Sequence, residues 1–112
     1  MRMLMTVSMS TDKANEAARG GTLASTIEKI LTQIKPEAAY FMANDAGERT
    51  GLIFLDMEKT SQIPGLAEPW FLAFDAKVTL RPVMSPGDLA ESAPGMGQAV
   101  KEYGNSSKFS NT

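Results

Sequence analysis

The chain has 112 residues, enough for one domain that buries about two-thirds of the surface its unfolded form would expose. It is 43% hydrophobic and 21% charged, as globular proteins are, and a net charge of −2 with no basic run excludes the phosphate-binding patch that nucleic-acid recognition needs. Cys and His are both absent, which removes thiol nucleophiles, Ser–His couples, disulfides, haem held by an axial His, and thiolate or imidazole zinc sites.

"RMLMTVSM" opens the chain with Met3, Met5, Val7 and Met9 on one side and Leu4, Thr6 and Ser8 on the other, the period-two signature of a strand. No small-residue cleavage site follows it and no apolar run approaches the ~20 residues that cross a bilayer, so the expectation is a cytoplasmic chain with no membrane partner. Ser10, Thr11 or Asp12 can cap a helix with Glu16 completing the pattern. Gly20-Gly21 divides this region into a short first piece and a longer helix, started by Thr22, with its stripe at Leu23, Ile27, Ile30, Leu31 and Ile34. Pro36 ends that helix.

Two strands follow, Ala38 to Ala43 and Gly51 to Met57, joined through the turn-rich "NDAGER" as a hairpin. The second of them, "GLIFLDM", is apolar on both sides: Leu52 and Phe54 on one, Ile53 and Leu55 on the other. Ile63, Leu66, Ala67, Trp70, Phe71 and Phe74 then recur at spacings of three and four, a helical face that Thr60 or Ser61 can cap and whose first turn accepts Pro64. Pro69 lies inside it, lacks the N–H owed to the carbonyl of Gly65, and predicts a kink or two short pieces meeting near Glu68. In the last strand Val78 and Leu80 alternate with Lys77, Thr79 and Arg81, and Pro82 assigns it to a sheet edge. A short final helix is expected from Gly97 to Tyr103, within a single domain spanning 1–103, and 104–112 reads as a polar, frayed tail.

Strand, helix, strand, strand, helix, strand is the order of an α+β, ferredoxin-like βαββαβ unit. Right-handed crossovers place both helices on one face of a four-stranded antiparallel sheet of order 4-1-3-2. The other face then presents two large apolar side chains of the third strand, each worth about 1.5–3 kcal/mol when buried. A two-fold homodimer that pairs the open faces removes that exposure.

The blocks "KPEAAYF", "ERTGLIFLDME" and "AEPWFLAFDAKVTLRPVMS" resemble short bacterial proteins of the dimeric α/β-barrel superfamily, over roughly Arg2 to Leu89. The resemblance implies ferredoxin-like subunits whose sheets pack into a shared barrel. That superfamily includes cofactor-independent monooxygenases, lactone isomerases, chlorite dismutases and haem-degrading enzymes. Its catalytic His positions have no counterpart in this chain.

Candidate ligand contacts belong to the face opposite the helices: Thr6 and Ser8 on the first strand, Thr79 and Arg81 on the last, with Tyr40 joining them if its strand turns that way. The planar donor fork of Arg81 suits a carboxylate or enolate, while its plainer role is an edge-strand charge. Trp70 could line a pocket, although an aromatic at helical spacing reads first as core. Asp56 and Glu58 share a strand side but read as turn and capping groups, so no metal and no cofactor is expected. Two functions stay open: a module that is non-catalytic or binds a small apolar organic molecule between the sheets of the homodimer, and a cofactor-independent monooxygenase, decarboxylase or isomerase acting in that space.

Overall fold

The alternation of the first strand decides the layout of the sheet. In the computed structural model, which describes residues 1–105, β1 (Arg2–Ser8) buries Met3, Met5 and Val7 against the helices and turns Leu4, Thr6 and Ser8 the other way. It lies at the centre of a four-stranded antiparallel sheet of order β2-β3-β1-β4. The partners are β2 (Ala38–Ala43), β3 (Arg49–Asp56) and β4 (Lys77–Pro82), with Pro82 on an edge as expected. Met5 is paired with Ile53 on one side and Leu80 on the other, so one row of apolar side chains runs across three strands.

Helices α1 (Thr11–Arg19), α2 (Leu23–Ile34) and α3 (Ile63–Phe74) cover that apolar side. Ser10 caps α1 by accepting from the backbone N–H of Lys13 at 3.3 Å. Glu16 does not complete a capping box but approaches Lys13 instead, at 3.9 Å. Gly20 and Gly21 separate α1 from α2, and Gly21 takes a φ of 75°, the left-handed region that glycine enters without steric cost. The core joins Met3, Met5, Val7 and Met9 of the first strand region to Ile53, Leu55, Trp70 and Phe74.

Pro69 does not divide its helix. α3 runs as one element from Ile63 to Phe74, preceded by a 3-10 turn at Thr60–Gln62 where a cap was expected. Two features accommodate the proline. The carbonyl deprived of its partner belongs to Gly65, which is exposed and can be solvated. On the inward side, Ala67, Trp70 and Phe74 are all buried, and their burial outweighs one lost hydrogen bond.

The packed unit ends at β4. Beyond it come α4 (Pro86–Glu91) and α5 (Ala93–Tyr103), so the expected final helix starts at Ala93 rather than Gly97 and has a second helix before it. Ser85 and Asp88 form a reciprocal capping box with Pro86 at the first helical position, which starts α4. Every residue of both helices is exposed. Most of the expected frayed tail, 106–112, falls outside the described residues. No helix among the described residues is long and apolar enough to cross a membrane.

Candidate binding face

The face of the sheet away from α1, α2 and α3 is built row by row from the strand register. Ala38, Phe54, Leu4 and Arg81 form one row across the four strands. Tyr40, Leu52, Thr6 and Thr79 form the next, and Met42, Thr50, Ser8 and Lys77 the third. Its centre is therefore Leu4, Leu52 and Phe54, three half-buried apolar side chains on the two inner strands. Tyr40 stands edge-on to Phe54, with ring centroids 6.4 Å apart and planes at 79°.

Thr6, Ser8, Tyr40, Thr79 and Arg81 thus share one face, and Thr6 and Thr79 are direct cross-strand partners. They do not converge on one point. Tyr40 and Arg81 sit on opposite edge strands, three strand spacings or about 14 Å apart. A small molecule on this sheet reaches one of them, and contact with both requires a second surface above it. Ser8 is engaged in a polar cluster: its hydroxyl accepts from Nδ2 of Asn44 at 3.4 Å and pairs with the Thr50 hydroxyl at 3.5 Å. Trp70 is on the other side of the sheet, fully buried against Phe74 with centroids 6.3 Å apart, and does not join this face.

Two residues complete the face that the sequence reading did not single out. Lys77 belongs with Thr79 and Arg81, as the same alternation implied. Asn44, read only as part of a turn, organises the hairpin: its Oδ1 accepts from the N–H groups of Ala46 and Glu48 at 3.0 and 2.9 Å. Gly47, with φ 75°, closes that turn. Nothing in the residue types distinguished Asn44 from its turn neighbours before its long-range bond to Ser8 was visible.

At one end of this face lies a cleft of about 670 Å3, lined by Arg2, Glu37, Asp56, Val83, Met84 and Asp88 among others. Its charges are largely matched among themselves. Arg2 Nε donates to Glu37 Oε2 at 3.0 Å, and the N-terminal ammonium donates to Asp56 Oδ1 at 2.7 Å. The backbone N–H and then the hydroxyl of Ser85 hold the Asp88 carboxyl below its ordinary value, and the Arg2 charge acts in the same sense. Asp56 and Glu58 do not cap the following turn. That role falls to Gln62, whose Oε1 accepts from the N–H groups of Glu58 and Lys59 at 2.8 and 2.9 Å. Among the described residues no three acidic side chains are grouped closely enough to hold a metal ion.

No protein-family model and no curated protein matches the chain. Among solved structures it is similar to a formyltetrahydrofolate deformylase from Pseudomonas putida, with 13% identity over 73% of this chain and a TM-score of 0.44. The chain spans 28% of that enzyme's length.

Proposed function

We propose that the chain is a subunit of a dimeric α/β barrel, a homodimer whose open sheet faces enclose a small apolar organic molecule. The observation that carries this reading is the apolar cluster Leu4, Leu52 and Phe54 on the two inner strands, with α1, α2 and α3 all on the opposite side. An apolar centre with threonines beside it and Lys77 and Arg81 at one margin suits an organic molecule bearing an acidic group. The second sheet also supplies what one subunit lacks, a surface that brings groups from both margins towards a single ligand. The role is binding rather than proton chemistry, since the central positions hold Leu, Phe and Thr; Asp56 and Glu37 are ion-paired at one end, and at the other Glu48 accepts from Asn44 Nδ2 at 3.1 Å.

Gel filtration of charge-inserted variants tests the assembly. Phe54→Asp places a carboxylate in the proposed interface without entering the helix-covered core, and the expected result is a folded monomer. Leu55→Asp enters the core beside Met3 and is expected to unfold the chain. A folded Phe54→Asp protein eluting as a dimer would overturn the reading, as would a monomeric unsubstituted chain. Native mass spectrometry of the purified dimer then shows whether it carries an added mass that denaturation releases.

A further inference from the structure

On the helix-covered side of the sheet, one corner is hollow. The strand register sets Phe41, Gly51 and Val7 in one row there and Ala43, Arg49 and Met9 in the next, with the N–H of Met9 donating to the carbonyl of Arg49 at 2.9 Å. Gly51 and Ala43 bring almost no side chain to these rows. The result is a groove of about 380 Å3 bounded by Met9, Phe41, Arg49 and Ile27 of α2. A Cβ at Gly51 would meet Cε1 of Phe41 at 3.1 Å, so the missing side chain is what lets the ring lie against the sheet as a wall.

Arg49 gives the groove its chemistry. Among the described residues it is the one charged side chain on a lining that is otherwise apolar or neutral. Its Nη1 donates at 2.8 Å to Oδ1 of Asn15, a neutral acceptor on α1. No carboxylate among the described residues lies within salt-bridge distance of it. Glu48, its neighbour in sequence, is turned instead to Asn44, whose Nδ2 donates to Glu48 Oε1 at 3.1 Å. A guanidinium carries five N–H donors in a planar fork, so the bond to Asn15 leaves the Nε–Nη2 edge for a ligand.

We propose that this groove binds a small organic monocarboxylate, its apolar body against Ile27, Phe41 and Met9 and its acid group on Arg49. One edge of a guanidinium matches one carboxylate through two parallel N–H···O bonds. A phosphate ester with two charges would meet a single cation here, which selects the carboxylate. The volume is at the small end of ligand sites and suits a body of one or two fused rings. The groove lies on the side of the sheet opposite Leu4, Leu52 and Phe54, so it is separate from the inter-sheet space and complete within one subunit.

Two probes of one shape test the site: β-naphthoate and its uncharged counterpart β-naphthamide, titrated into full-length protein carrying isotope-labelled methionine methyl groups. Saturable movement of the Met9 signal by β-naphthoate is expected, while Met3, paired with Leu55 and Pro82 at the other end of the sheet, stays in place. Arg49→Met is expected to weaken β-naphthoate about tenfold or more and β-naphthamide far less, because a bond between charged groups is lost. Ala43→Phe fills the floor of the groove from an exposed position and is expected to abolish both. A Met9 signal that β-naphthoate leaves unmoved overturns the site with no variant involved. Equal weakening of the two probes by Arg49→Met overturns it as well, as does binding that survives in folded Ala43→Phe protein. None of these results bears on the sheet dimer.

Discussion

Trp70 shows how much one side chain decides in a domain of this size. Its ring is fully buried among the core residues, yet its Nε1 has no hydrogen-bond partner among the described residues. Two opposite terms therefore act at one position: a large apolar area removed from water, and a donor deprived of it. Trp70→Ala removes both and leaves a cavity, with an expected loss of about 3–5 kcal/mol in urea unfolding. Trp70→Phe removes the orphaned donor and keeps most of the ring, so its expected cost is below about 1.5 kcal/mol. Equal losses for the two variants would show that the donor is satisfied in solution. The same residue illustrates what was legible beforehand. Its place in a stripe of threes and fours marked it as helix core, whereas its lack of a partner depended on side chains distant in sequence.

At the scale of the element, α3 is a helix whose local chemistry disagrees with its packing. Pro69 argues for a break, and the inward row of Ala67, Trp70 and Phe74 argues for continuity; continuity wins because the row is anchored on the sheet. Pro69→Ala restores the bond to the Gly65 carbonyl and removes the ring crowding, and a gain of about 1–3 kcal/mol in thermal or urea unfolding is expected. Stability lower than that of the parent would mean that the half-buried ring contributes more by packing than the missing bond costs. The helices after β4 pose the reverse case. Ser85, Pro86 and Asp88 together spell a helix start, but no apolar row that a core could use follows them.

For the molecule as a whole, the division lies at Pro82. All core residues and the side chains packed on them fall between Met3 and Leu80, and none comes from the arm. A chain ending at Ser85 is therefore expected to fold, with the far-ultraviolet signal of the sheet domain and Trp70 emission as blue-shifted as in the full chain. Red-shifted emission from the shortened chain would show that the arm supports the core. The arm contributes no core residue to its own subunit and is expected to be lost without cost there.

Alternation along β1, β3 and β4 by itself determined which side chains share a surface. Strand geometry sends neighbours to opposite sides, so Thr6, Ser8, Thr79 and Arg81 group together on the sequence alone, and the ferredoxin-like order follows from the succession of elements. Only the tertiary structure decided distances and exposures: that Tyr40 and Arg81 lie on opposite margins, that Ser8 is engaged by Asn44, that α3 survives Pro69, and that the arm stands clear. Periodicity is a property of consecutive residues and can be read along the chain. Partnership across 36 residues, as between Ser8 and Asn44, or the lack of any partner, is set by how all the elements pack at once.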